Sequence, residues 1–182
     1  SYSANPHWSF AEALKLDPVN LEAFEVMAQC ERAGGNTQAE EAWRTKAIEA
    51  HPDRFELWEV RGDLRSEQGR HESAIADYSQ AIELLLKLPK ERRSQKLCPL
   101  LIKRAGIHEV LEERDAALKD LSAAIAERPN DIEMLSARGW YYLRQGEWRL
   151  AFVDFGAAVK TGFGKGDDYY ALAIAAEKLG DL

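Results

Sequence analysis

Four histidines (His7, His51, His71, His108), two cysteines (Cys30, Cys98) and the segment GFGKGDD at 162–168 are where this chain of 182 residues could hold a metal, move a proton or cradle a phosphate. A structural or catalytic metal needs three or four ligands brought together, and on a helix that means pairs at i, i+3 or i, i+4. No two histidines have that spacing, and neither cysteine completes a set. Two cysteines so far apart make no disulfide framework and read as small apolar fillers. The histidines read as structural side chains. GFGKGDD lacks the Ser or Thr that follows the lysine of a phosphate loop, and it follows a helical pattern where such a loop follows a strand, so it reads as a link. Carboxylates are plentiful but recur at helical spacing on amphipathic segments, which makes a solvated face. The expectation is a chain with no catalytic residue, no metal and no cofactor, hence not an enzyme.

With 30% charged and 46% hydrophobic residues the chain has a globular composition. The longest apolar runs, AIELLLKL at 81–88 and ALAIAA at 171–176, fall far short of the roughly 20 residues that span a bilayer. The opening SYSANPHWSF has no basic segment followed by an apolar core and is no signal peptide, so the expected compartment is the cytoplasm. A net charge of −7 disfavours nucleic acid and anionic lipid, both of which need a basic footprint, and favours basic partners. Only the stretch Lys87 to Lys96 approaches a basic stripe.

The elements that would position any site are repeats. RGDLRSEQGRHESAIADYSQAI at 61–82 matches RGWYYLRQGEWRLAFVDFGAAV at 138–159 at seven places, which puts Gly62 over Gly139, Ala74 over Ala151, Tyr78 over Phe155 and Ala81 over Ala158. A third copy places Ala105, Ala117, Leu121, Ala124 and Ile125 in the same register, 34 residues before the last copy and 43 after the first, and a weaker copy puts Ala28 34 residues before Gly62. A period of this length marks a solenoid whose units bury their apolar faces against one another. Each unit reads as two antiparallel helices with a Gly break, as at Gly69 in EQGR. Gly62 and Ala74 fall where two helix backbones approach closely, and Tyr78, Leu121 and Phe155 fill the space beside them.

Trp58, Gly62, Gly69, Ala74, Tyr78 and Ala81 in one unit, and Leu135, Gly139, Gly146, Ala151, Phe155 and Ala158 in another, resemble the tetratricopeptide repeat. FAEALKLDPVN at 10–20 is similar to the closing half of such a unit. The resemblance implies an all-α, right-handed α-α superhelical solenoid of antiparallel helix pairs. It divides the chain into a trailing half-repeat at 1–20, repeats at 21–54, 55–97, 98–131 and 132–165, and a leading half-repeat at 166–182. Two departures stand out. Trp43 lies four residues before Ala47, against three between Tyr78 and Ala81, so the second helix of the first repeat is expected to be rotated or irregular. Nine extra residues around LLKLPKERRSQKLCP are expected to extend the second helix of the next repeat to about Leu88, followed by Pro89 and a basic loop, with Pro99 in the first turn of the following helix.

The resemblance also implies a concave groove, lined by the first helix of each pair, that binds a partner's peptide or helix. By alignment its lining is Glu22, Glu25, Gln29 and Arg32, then Glu56, Glu59, Asp63 and Ser66, then Ile102, Gly106 and Glu109, then Glu133, Ser136, Trp140 and Leu143, and finally Tyr170 and Ile174. Trp140 is the expected anchor, because aromatic side chains dominate interface energetics. The lining is acidic at one end and apolar at the other, so the expected partner is a protein or peptide that is basic with apolar anchors, and neither nucleic acid nor membrane. The lysine and arginine lining that grips acidic chaperone tails in some relatives is absent. The alternative is a regulatory or substrate-recruiting arm of a larger enzyme of the glycosyltransferase or kinase type, with catalysis outside this chain. DDYYALAIAAEKLGDL is apolar on much of its surface and HWSFAEALKL reads as a second helix without its first, so end-to-end self-association is expected.

Overall fold

In the computed structural model, which describes residues 6–160 and 165–180, the chain forms ten α-helices, with no strand among the described residues. They are α1 (Pro6–Leu16), α2 (Leu21–Ala33), α3 (Thr37–Ala50), α4 (Phe55–Glu67), α5 (His71–Leu86), α6 (Lys90–Val110), α7 (Arg114–Glu127), α8 (Ile132–Arg144), α9 (Trp148–Lys160) and α10 (Gly166–Leu179). Residues 162–164 of GFGKGDD lie outside the described residues, and Gly166 to Asp168 open α10. The architecture is an all-α helical solenoid built from consecutive helix pairs. It divides into two compact units, Ser1–Lys87 and Leu88–Leu182.

Helix starts and stops follow local chemistry. Asn20, Asn36 and Asp131 cap α2, α3 and α8 by accepting hydrogen bonds from backbone N–H groups that the first turn leaves unpaired, Asn20 from Ala23 at 2.9 Å. Between the two helices of each pair the chain reverses through a left-handed residue in one register position. It is Gly35, Gly69 and Gly146 at φ of 74°, 71° and 74° in three of the turns, and Glu112 at φ 60° in the other.

In the first unit α2 packs on α3 and α4 on α5, and Phe24, Ala47, Ile48 and Leu57 form a core completed by Leu14, Trp43 and Trp58. In the second unit α6 packs on α7 and α8 on α9, with α10 laid against α9. One core there gathers Ala105, Ala117, Leu121 and Tyr141, and another gathers Ala151, Phe155, Ala171 and Ala175. Burial of such side chains, at roughly 1.5–3 kcal/mol for a large one, holds helices that at 13 or 14 residues would be marginal alone. The close approaches have their expected cause. A Cβ on Gly62 would sit 2.8 Å from the Tyr78 ring, and one on Gly139 would sit 3.0 Å from Phe155. Where the position carries Ala105, the facing residue shrinks to Leu121.

Both expected departures take a different form. The helix α3 is regular, and Ala47 and Ile48 are buried as Ala81 and Ile82 are, so it is not rotated. Its polar and apolar positions are exchanged instead. Glu40 stands at the register of Ala74, Ala117 and Ala151, and Arg44 at that of Tyr78, Leu121 and Phe155. Glu40 is 1% exposed and accepts a 2.9 Å hydrogen bond from Arg44 Nε. The basic stretch after Pro89 is not a loop. The helix α5 ends at Leu86, and α6 begins at Lys90 and continues through Pro99 for 21 residues. Lys, Glu, Arg and Gln favour helix, and Glu127 on α7 fastens the extension by accepting hydrogen bonds from Arg93 (2.9 and 3.2 Å) and Ser94 (2.8 Å). Pro99 removes one N–H from the ladder without ending the helix.

Candidate functional site

Each unit carries a cleft between the first helices of its two full pairs, and the two clefts occupy matching registers. In the first unit Glu25, Ala28, Gln29 and Arg32 of α2, Arg44 and Ala47 of α3, and Glu56, Leu57 and Val60 of α4 enclose about 340 Å³. In the second, Ile102, Ala105, Gly106 and Glu109 of α6, Leu121 of α7, and Ala137, Trp140, Tyr141 and Arg144 of α8 enclose about 220 Å³. Adding 77 to Glu25, Ala28, Gln29, Arg32 and Arg44 gives Ile102, Ala105, Gly106, Glu109 and Leu121. The same scaffold thus presents two chemistries: two carboxylates and two arginines in one cleft, and aliphatic, glycine and indole surface beside a single Glu109–Arg144 pair in the other.

At matching registers the two units carry an ion pair of opposite polarity, with Arg32 of the first pair and both members of the second lining a cleft. Arg32 donates to Glu67 at 3.2 Å in the first unit, and Arg144 donates through two bonds of 2.7 Å to Glu109 in the second. The Glu109 pairing raises the Arg144 guanidinium's affinity for its proton. In the first cleft no cation among the described residues pairs with Glu25, and Glu56 has Arg54 at 3.5 Å. Trp140 is held from behind: it meets the fully buried Phe155 edge-on, with ring centroids 5.3 Å apart and planes at 79°.

Of the residues expected to line a groove, Glu25, Gln29, Arg32 and Glu56 come together in the first cleft and Ile102, Gly106, Glu109 and Trp140 in the second. The others border neither. The Asp63 carboxylate accepts a 2.6 Å hydrogen bond from Tyr78, Leu143 packs into the core around Phe155, and Glu133 lies at the surface 3.6 Å from Lys165. The Ser136 hydroxyl is buried without a partner among the described residues. Glu22 and Tyr170 are exposed, and Glu59, Ser66 and Ile174 are half-buried.

Sequence reading missed a recurrent ion pair inside the helix pairs. Arg61 holds Asp77 with bonds of 2.8 and 3.0 Å, Arg104 holds Asp120 with two of 2.7 Å, and Arg138 holds Asp154 with 2.7 and 2.8 Å, each across 16 residues. Each carboxylate is buried, and hydrogen bonding to Asp154 raises the Arg138 guanidinium's proton affinity. In the first pair the same places hold Met27 and Trp43. The signal was available, since Arg and Asp are two of the seven residues shared by the segments at 61 and 138.

Among the described residues no group of three His, Cys, Asp or Glu side chains is placed to hold a metal, and no helix is long and apolar enough to cross a membrane. The profile of the family described as Tetratricopeptide repeat matches residues 31–85 and 107–168, more than half of the chain. The chain belongs to the tetratricopeptide repeat family. Among solved structures it is similar to a tetratricopeptide repeat protein from Parabacteroides merdae, at 21% identity and a TM-score of 0.72 over 88% of this chain; the chain spans 60% of that protein's length. It is also similar to MamA, at 18% identity and a TM-score of 0.67 over 88% of this chain and 82% of that one. A third is YrrB, described as a TPR protein with an unusual peptide-binding site, at 17% identity and a TM-score of 0.66 over 92% of this chain and 82% of that one. At these identities the likeness is one of fold. No curated protein matches the chain.

Proposed function

We propose that the chain is a protein-interaction scaffold that binds a basic peptide or helix bearing apolar anchors, and that it acts by holding a partner and not by catalysis. The observation that carries this reading is the pair of register-matched clefts, one lined by Glu25 and Glu56 and the other by Ile102 and Trp140. Carboxylates at the surface of a cleft attract a lysine or arginine, and a rigid indole offers contact area at little entropic cost. The peptide-binding site of YrrB, a protein of the same fold, supports the reading by analogy. The repeats are taken to run 21–54, 55–97, 98–131 and 132–165, with half-repeats at 1–20 and 166–182, and the working compartment is the cytoplasm.

The test is a binding titration with dye-labelled Lys- and Arg-rich peptides carrying a large apolar residue. The expected result is saturable binding that weakens with salt and falls about tenfold in a Glu25→Gln, Glu56→Gln double variant. Binding of acidic peptides only, or affinity indifferent to both salt and the double variant, overturns the proposal.

A second reading, self-association of the chain, is supported by apolar side chains exposed in the second unit: Val153 is 60% exposed on α9 and Tyr170 is 67% exposed on α10. Light scattering across a concentration series tests it, and a monomer at every concentration overturns it.

A further inference from the structure

At Glu40 and Arg44 the repeat gives up apolar packing. The same registers hold Ala74 with Tyr78, Ala117 with Leu121 and Ala151 with Phe155 in the other three pairs. A buried ion pair is commonly no more stable than an apolar pair of similar volume, so packing does not account for the exchange. Arg44 Nε and Nη2 both donate to one oxygen of Glu40, and the Nη1 amino group has no partner among the described residues. The side chain is 14% exposed and lines the first cleft beside the buried Phe24, Ala28, Ala47 and Leu57. The floor of that cleft is therefore apolar, with one unused pair of N–H donors.

The rim sets the charge of the occupant. Residues 1–87 carry 16 acidic and 9 basic side chains, whereas residues 88–182 carry 15 of each, so the whole net charge of −7 sits in the first unit. Glu25 of α2 and Glu56 of α4 bring part of it to the exposed rim of the cleft, so the segment that crosses the rim is basic. The group that reaches the floor is neutral, because Glu40 already meets the Arg44 charge and an anion would have to pass two carboxylates on its way in. It must also accept a hydrogen bond, or the Arg44 donors lose their water without return. A side-chain carboxamide meets both conditions: its oxygen accepts from Nη1, and its NH2 group donates to a rim carboxylate. We infer that the first cleft takes the carboxamide of a Gln or Asn side chain in a basic partner segment, with Arg44 as the residue that determines this specificity. The inference rests on the peptide-binding reading above and names the side chain recognised and the donor that recognises it.

The probes are three short Lys- and Arg-rich peptides that differ only in a central Gln, Glu or Met, side chains of similar length. The Gln peptide should bind the parent chain about tenfold more tightly than either of the others. Glu40→Ala with Arg44→Leu restores the residue types of the other pairs, so this variant should melt no lower than the parent, and its preference should pass from Gln to Met. In NMR of the parent chain the Gln peptide should shift the side-chain Nε–H signal of Arg44. An unmoved Arg44 signal at saturation with the Gln peptide overturns the inference. If the parent binds the Gln and Met peptides equally, or binds the Glu peptide best, while Glu25→Gln with Glu56→Gln weakens all three, the carboxamide site is wrong and the basic-peptide reading stands. If none of the three binds the parent chain, both fall.

Discussion

The hydroxyl of Tyr78 donates a 2.6 Å hydrogen bond to Asp63 while its ring covers the bare Cα of Gly62. Burial first, and then this bond, raise the phenol's pKa well above its usual value, so it stays a donor at any ordinary pH. Tyr78→Phe should cost about 1–1.5 kcal/mol by leaving Asp63 short of a donor. Gly62→Ala should cost about 1–3 kcal/mol despite the better helix propensity of alanine, because the 2.8 Å contact forces a packed ring to move. Gly139→Ala, with its nearest contact at 3.0 Å, should cost less. Urea denaturation midpoints of the three variants give the ranking.

The Arg–Asp pairs should rank by burial. Asp77 is 2% exposed and its partner Arg61 10%, against 4% for Asp154 and 23% for Arg138. Removing the acid strands a desolvated guanidinium, so Asp77→Ala should cost about 3–5 kcal/mol and Asp154→Ala less. Replacing both partners is a different matter. Arg61→Met with Asp77→Leu should recover much of the loss, since an apolar pair of similar volume strands no guanidinium, Arg65, which also donates to Asp77, keeping its bond to Glu41, and the first helix pair already holds Met27 and Trp43 at these places. Equal losses for the single and double variants in chemical denaturation would contradict this.

Acid should loosen the extension of α6. The hydrogen bond from Arg93, reinforced by Ser94, holds the Glu127 carboxyl below its ordinary value of 4.5. A carboxylate with a lowered folded pKa contributes stability above its unfolded pKa and loses it as pH falls through the folded one. Stability should therefore decline below about pH 4.5, and Glu127→Gln should flatten that part of the profile while lowering stability near neutrality. Thermal melts of the two proteins across the acid range measure the difference.

Glu112 occupies the left-handed position that glycine fills in the other three turns. Glu112→Gly should stabilise the chain by about 0.5–1 kcal/mol, since only glycine takes φ of 60° without a Cβ penalty. A lower melting temperature for this variant would show that the Glu112 side chain contributes more than its backbone conformation costs.

The repeat register was legible because it is written in size: Gly62 under Tyr78 and Gly139 under Phe155 can be read from residue volumes alone. Polarity inside the register was harder. Arg61 and Asp77 look like two surface charges 16 apart until the helices are paired, and Glu40 looks like a solvated carboxylate because nothing local announces that it takes the place of an alanine. The basic stretch after Pro89 misled for another reason. Pro89 reads as a stop and Pro99 as a helix start, whereas the residues between them are good helix formers and the contacts of Arg93 and Ser94 with Glu127 come from a later helix. Of the residues expected to line a groove, Glu25, Gln29, Glu56, Ile102 and Trp140 border a cavity, where packing leaves room. Asp63 and Leu143 are engaged inside the fold instead, a contact that their helical register alone does not announce.

Three bidentate locks at 61–77, 104–120 and 138–154 have a mechanical meaning as well. Within a pair, sliding one helix along the other by even a fraction of a turn would pull both bonds of the fork out of line at once, so the pair resists shear as a bolted joint does. No such fork joins α3 to α4 or α7 to α8 among the described residues, and those helices share far less contact than the two members of a pair do. Successive pairs are tied instead by half-exposed forks, Arg32 on Glu67 and Arg144 on Glu109, which solvent weakens, so under load a locked pair would move as one stiff plate and the give would come between plates.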